Sequence, residues 1–380
     1  MHLNDPAKKQ IIINSEAIEP LYQKALGLLQ DLIAQPSFSK EEDKTADLIE
    51  AFFGKFNIPA ERQGNNIWAR NKFFDTALPT ILLNSHHDTV KPNQGWTKDP
   101  FKPEMAGDKL YGLGSNDAGG CLVALLATFL FFYSQENLAY NLVMAATAEE
   151  EISGLNGLES ILPVLGPLEF AIVGEPTEMH LAVAEKGLMV LDCVAQGKAG
   201  HAAREEGDNA IYKAMQDIEW FRTFQFPQVS KYLGPVKMSV TIINAGSQHN
   251  VVPDTCCFTV DVRVTDAYTH EEVLATIKQH VSAEVKPRSM RLRSSRIDIN
   301  SAIVQAGLDL GRTPYGSPTS SDQALLNIPS LKIGPGDSAR SHTADEFIYL
   351  TELKDGITIY IQMLAQVVFK NPDSLSSIKK

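Results

Sequence analysis

Four short apolar runs dominate what this chain can become: Thr80 to Asn84, Asn141 to Thr147, Phe170 to Val173 and Ser330 to Ile333. Each has the length and composition of a buried strand. Helical stretches fall between several of them, notably Gly120 to Tyr133, Leu158 to Leu162 and Asp322 to Leu326, and two amphipathic helices, Ala17 to Ile33 and Glu42 to Phe56, precede them. Strands alternating with helices predict an α/β sheet covered on both faces.

Between Gly187 and about Ile299 the pattern changes. It reads as strand Leu188 to Gln196, helix Asn209 to Phe224, strands Val236 to Asn244 and Cys257 to Val264, helix His270 to Val281, and strand Met290 to Ile299. Thr269 and Glu272 form a capping-box pair at the start of the second helix. The order βαββαβ is that of a ferredoxin-like unit. The expected organisation is therefore a sheet domain over residues 1–185 and 296–380, interrupted by an inserted domain over 186–295. The polar tail Asn371 to Lys380 is expected to fray.

Composition limits the function. Of 380 residues, 46 are Asp or Glu and 34 are Lys or Arg, so the net charge of −12 has the wrong sign for gripping nucleic acid through its phosphates. The opening residues hold no apolar signal core, and the run Cys121 to Tyr133 is too short to span a bilayer. Cys121, Cys193, Cys256 and Cys257 are too few for a disulfide framework and lack CxxC spacing, which fits reduced thiols in a cytoplasm. No membrane association is expected.

Polar residues that follow the buried runs carry the chemistry. The first run leads into His86-His87-Asp88, the second into Glu149-Glu150-Glu151, the third into Gly174-Glu175-Pro176-Thr177, and the fourth into Gly334-Pro335-Gly336 and on to His342. Ligands of open α/β sheets bind outside the carboxyl ends of the strands, so these groups are placed to converge. His86 and Asp88, two apart on an extended segment, share a side, and His87 points away. Asp88 can then accept the second N–H of His86 and fix its tautomer for metal binding. Asp117 follows the glycine-rich Gly112-Leu113-Gly114-Ser115-Asn116 turn, where a carboxylate could bridge two cations. Three successive glutamates repel one another unless a cation neutralises them. Taken singly, each feature has an ordinary explanation: a satisfied His–Asp pair, an acidic helix start, an N-cap, a loop histidine. Together they form an ordered donor set.

These motifs, in this order, resemble the dinuclear zinc amidohydrolases, which include acetylornithine deacetylase, succinyl-diaminopimelate desuccinylase, aminoacylase and bacterial glutamate carboxypeptidase. The likeness covers nearly the whole chain. It implies a zinc-exopeptidase α/β domain with an inserted ferredoxin-like dimerisation lid, in a homodimer. It further implies two divalent cations, zinc first with cobalt or manganese as alternatives, bridged by Asp117. One would be held also by His86 and Glu175, the other by Glu151 and His342. Asp88 would orient His86 and Glu150 would be the general base. Such a pair of cations lowers the pKa of bound water from 15.7 towards about 7. His201, in Gly200-His201-Ala202-Ala203, resembles the lid histidine that the family supplies from a partner subunit to the oxyanion. Asn250 and Arg263 resemble its positions for the substrate carboxylate, for which a guanidinium fork is suited. The sequence departs from the common pattern beside the ligands, at Leu113, Ala118, Gly119 and Glu149.

Ser320-Ser321-Asp322-Gln323 and Gly334 to Phe347 look most like the acetylornithine deacetylase branch. The resemblance thus implies hydrolysis of an N-acyl amino acid, foremost N-acetylornithine or a related N-acyl ornithine or citrulline of arginine biosynthesis. The alternatives are a dipeptidase or carboxypeptidase using the same cations, and a metal-free binding protein that kept the fold. The absence of a GxSxG elbow disfavours a serine hydrolase, and the glycines at 112 and 114 lack the third glycine of a nicotinamide site.

Overall fold

The computed structural model describes residues 15–369, so both the chain start and the polar tail from Asn371 lie outside the described residues. The chain divides into two compact units. One comprises the described residues up to Val183, Ile297–Tyr315 and those from Asn327 on; the other comprises Ala184–Arg296 and Gly316–Leu326. The sequence reading leaves Gly316–Leu326 with the sheet domain. Within the second unit this segment is held by the Arg293 N–H donating to Ala324 O at 2.9 Å and by Ser321, whose N–H and hydroxyl both donate to Glu185.

The first unit is built on a mixed sheet. Strands Asn141–Thr147, Thr80–His86, Phe170–Val173 and Ser330–Lys332 lie side by side and parallel. The antiparallel hairpin Ala60–Gln63 and Asn66–Arg70 extends one edge, and Leu181–Glu185 continues the other. Every residue of the four parallel strands is buried, which is why they read as unbroken apolar runs rather than alternating ones. Helix Gly120–Tyr133 lies against two of them and packs with helices Ser15–Ile33 and Leu350–Val368. Among the described residues, Ser115–Tyr133 is the one segment long and apolar enough to cross a membrane, because the turn at Ser115–Gly119 runs straight into the helix; 78% of its apolar window is buried in the core. The sequence reading omits this unit's hairpin, the small sheet of Glu104–Ala106, Lys109–Tyr111 and Phe347–Tyr349, and helices Ala302–Asp309 and Leu350–Val368.

In the second unit, strands Gly187–Gln196, Lys237–Ala245, Thr255–Val264 and Glu284–Pro287 form an antiparallel sheet in which the first strand lies between the third and fourth. Helices Ala210–Thr223 and His270–His280 complete a βαββαβ order. Met189, Leu191, Phe258, Val260 and Val262 of the sheet share one core with Ala214, Phe221, Val273 and Ile277 of the helices. The capping box forms as expected, with Glu272 N–H donating to Thr269 Oγ1 at 3.2 Å and Thr269 N–H to Glu272 Oε2 at 2.8 Å. The fourth strand is not Met290 to Ile299. It is the edge strand Glu284–Pro287, in which Val285 alone is buried, whereas Ser295–Arg296 pairs with Ala184 and Glu185. All four cysteines are free thiols.

Candidate metal centre

The carboxyl ends of the parallel strands deliver the donors. His86 is the last residue of its strand, and the two-residue alternation continues to Asp88: both are essentially inaccessible. His87 turns the other way, donating Nε2–H to the Asn65 carbonyl at 2.8 Å, with Nδ1 2.9 Å from Thr45 Oγ1. Burial pushes its pKa down to about 4.

His86 Nε2 lies 3.3 Å from Asp117 Oδ1, 3.7 Å from Glu175 Oε1 and 3.8 Å from Glu150 Oε2. His342 Nε2 is 3.0 Å from Glu151 Oε2 and 3.6 Å from Asp117 Oδ2. The two carboxylate oxygens of Asp117 therefore face one histidine each. His86, Asp117 and Glu151 form one cluster of donor atoms mutually within 4.8 Å, and His86, Glu150 and Glu175 form another. All five ligands inferred from sequence thus meet with Glu150 around one point, within the first unit.

Asp88 does more than accompany His86. His86 Nδ1 is 3.0 Å from the Asp88 backbone carbonyl and 3.4 Å from its carboxylate. The same carboxylate accepts the Ser39 hydroxyl at 2.7 Å and the backbone N–H groups of Glu150 and Glu151 at 3.0 and 3.1 Å. One acid thereby holds His86 and the backbone of both Glu150 and Glu151. Of the glutamate triplet, Glu149 faces its own loop, accepting from Asn156 Nδ2 at 2.9 Å, so Glu150 and Glu151 are the pair turned towards the histidines.

Electrostatically the site demands cations. Burial alone lowers the His86 pKa, but Asp117 and Asp88, with Glu150 and Glu175, outweigh it and raise it well above normal. Hydrogen bonding to Glu151 raises His342 to about 9 against a smaller opposing effect of burial. Burial raises the Asp117 pKa, and the stronger pull of the two histidines carries it below normal. The two imidazoles attract protons because Asp88, Asp117, Glu150, Glu151 and Glu175 converge on them. A divalent pair supplies the same positive charge, and its fit has a direct sign: His86 Nε2 is buried and makes no hydrogen bond, despite three carboxylates nearby. Such an atom is costly to bury unless something binds it. Imidazole nitrogen and carboxylate oxygen are the donors zinc takes in catalytic sites.

Two residues that the sequence reading does not single out support this centre. Glu346, 2% exposed, accepts backbone N–H groups from Gly114, Asn116 and Asp117, and burial pushes its pKa to about 8. Asn116, fully buried, joins its side chain to Asp337.

The remaining sequence candidates lie in the second unit. Gly200–His201 pairs with Val251–Val252, and Ala202 N–H donates to Asn250 O at 3.0 Å, so His201 and Asn250 are neighbours. His201 is exposed and its Nδ1 accepts the Ala203 N–H at 3.1 Å, leaving Nε2 as the protonated nitrogen of the neutral ring. The Arg263 fork is engaged by Asp261, at 2.9 and 3.1 Å.

A family model described as peptidase family M20/M25/M40 matches residues 82–366. The chain belongs to this family. As a member of M20/M25/M40 it is a metallo-hydrolase of the amidohydrolase and peptidase kind. Among its relatives, acetylornithine deacetylase of Proteus mirabilis is 28% identical over 84% of this chain and 91% of that protein. The [LysW]-lysine/[LysW]-ornithine hydrolase of Sulfurisphaera tokodaii is 26% identical over 92% and 97%. Succinyl-diaminopimelate desuccinylase of Wolbachia pipientis subsp. Culex pipiens is 24% identical over 92% and 95%. The fold matches aminopeptidase PepT of Bacillus cereus with a TM-score of 0.74 at 18% identity, covering 91% of this chain and 98% of that one. It also matches the Bacillus subtilis YXEP protein, a dinuclear metal binding peptidase of the M20 family, with a TM-score of 0.70 at 17% identity over 92% and 99%.

Proposed function

We propose that this M20-family hydrolase cleaves the amide bond of an N-acyl amino acid, foremost N-acetylornithine or a related N-acyl ornithine or citrulline, with two divalent cations, zinc by preference. The observation that carries the reading is the convergence of His86, Asp117, Glu151, Glu175 and His342 about an unbonded buried imidazole nitrogen. Asp117 would be shared, His86 and Glu175 would hold one cation, and Glu151 and His342 the other. When bound, the cations polarise the scissile carbonyl and acidify water.

The chain's own residues supply the rest. Asp88 fixes His86 and the backbone of Glu150. Glu150, 3.8 Å from His86 Nε2, takes the proton from water and returns it to the leaving amine. His201, with Nε2–H as its donor, serves the developing oxyanion from a partner subunit. Asn250, its neighbour, and Arg263 bind the substrate carboxylate, which must displace Asp261 from the guanidinium. The inserted unit is the lid and dimerisation domain of a cytoplasmic homodimer. Ile242 and Ile243, about half exposed on the edge strand Lys237–Ala245, support an interface there.

The choice of N-acyl ornithine rests on the acetylornithine deacetylase relative and on the Ser320 to Gln323 and Gly334 to Phe347 motifs. Peptidases share this fold, so a dipeptidase is the second reading. A panel of N-acetyl, N-succinyl and dipeptide substrates, run with metal quantitation, tests both. A higher kcat/KM on peptides rejects the deacylase, and less than one cation per chain without gain of activity on adding zinc or cobalt rejects the metallo-enzyme.

A further inference from the structure

The turn carrying Asp117 and the loop carrying His342 are joined twice, in opposite directions. From the loop, Glu346 accepts the N–H groups of Gly114 at 3.1 Å, Asn116 at 2.8 Å and Asp117 at 2.9 Å. From the turn, Asn116 donates Nδ2–H to the Asp337 carbonyl at 3.0 Å and accepts the Asp337 N–H on Oδ1 at 3.0 Å. Asn116 Nδ2 also lies 3.4 Å from Ser341 Oγ. The turn has irregular geometry, with Gly114 left-handed at φ 74° and Asp117 at φ −120°, ψ 99°. Buried amides in such a turn need a partner from elsewhere.

A carboxylate is an expensive partner here. Glu346 is buried beside the Asp117 carboxylate, a placement that disfavours its own charge. Both of its oxygens are used, Oε2 by Gly114 and Oε1 by Asn116 and Asp117, so an amide side chain with a single oxygen could not accept all three. The arrangement gains something else: it fixes Asp117 against His342. His86 and Glu175 need no such link, because His86 ends one strand and Glu175 stands two residues past the parallel strand beside it. His342 sits on a loop at φ 60° with its side chain 53% exposed.

We propose that Glu346 and Asn116 are positioning residues that hold the Asp117 turn and the His342 loop in register, and so set the affinity of the cation bound by Asp117, Glu151 and His342. The cation at His86 and Glu175 depends on them far less. This assignment rests on the two-cation reading above.

Glu346→Gln and Asn116→Ser test it from the two sides of the link. In zinc titrations of the full chain, with cobalt absorption as a second readout, the ion that His342→Ala removes loses at least about tenfold in affinity and the other changes less than about threefold. Excess zinc restores kcat without altering KM. Parent affinity for both ions in both variants overturns the proposal, as does an equal loss at both sites. Amide hydrogen exchange in the chelated protein separates this claim from the metal reading. Glu346→Gln accelerates exchange at Gly114, Asn116 and Asp117 but not along Asn141–Thr147; unchanged exchange refutes the link however many ions bind. A parent protein that takes up fewer than two ions refutes the two-cation reading, while the exchange result still decides the link.

Discussion

The Asp88 carboxylate accepts the backbone N–H of Glu150 at 3.0 Å, so the residue that steadies His86 also anchors the proposed base. Replacing Asp88 by Ala should therefore do two kinds of harm. Cation affinity is expected to fall about 10- to 100-fold, as for other partners of ligating histidines. Turnover should stay depressed even at saturating zinc, because the Glu150 backbone has lost its acceptor. Metal titration followed by kcat at saturating metal separates the two losses.

Glu150→Ala should leave cation content intact and lower kcat about 10²- to 10⁴-fold, the range of general acid–base catalysis. Asp117→Ala should instead empty the site, since each of its oxygens faces a different histidine. Elemental analysis beside steady-state kinetics distinguishes the two variants. Undiminished turnover in Glu150→Ala assigns the base elsewhere.

Chelation should abolish activity and lower the unfolding temperature together. A ligand present at a hundred times its dissociation constant stabilises the folded state by about 2.7 kcal/mol, so the thermal midpoint should rise with added zinc and keep rising logarithmically. Calorimetry on chelated and zinc-loaded protein measures this directly, and a midpoint that ignores zinc contradicts the site.

The chelated protein should also carry an acid-sensitive contribution from His87 within a defined window. His87 is buried and neutral with a pKa of about 4, below its unfolded value near 6.5, so between these two values the unfolded chain binds the extra proton. Its contribution is complete above pH 6.5 and is lost as pH falls towards 4, by at most about 3 kcal/mol. His86 and His342 are shifted the other way, His342 to about 9, so their contributions are already constant in this window, whereas Glu346, raised to about 8, gains stability as pH falls through it and opposes the His87 effect. Urea unfolding of the parent and of His87→Gln from pH 7 to 4 isolates this effect, and the parent should lose stability relative to the variant as pH falls.

How much of this could be read in advance depends on where each signal resides. The four parallel strands were legible because burial on both faces leaves an unbroken apolar run, and His86, Glu151 and Glu175 were legible as candidate ligands because they closely follow three of those runs. Edge elements were not. Glu284–Pro287 buries one side chain and so offers no pattern, and the apolar residues farther on, at Met290 to Ile299, looked more strand-like than they are. Helix Leu350–Val368 does carry its signal, with Leu353, Ile357, Tyr360, Leu364 and Val368 buried at helical spacing. Glu346 had none: its three amide donors stand more than 200 positions earlier in the chain, and only folding brings them to it. The pairing of Arg263 with Asp261 was equally hidden, although i and i+2 on a strand share a face.

Depth distinguishes the two histidines, one 1% exposed and the other 53%. Solvent meets the centre on the His342 side, with Asp117 partly accessible and His86 sealed behind. A molecule arriving from water therefore meets His342 before it can meet His86.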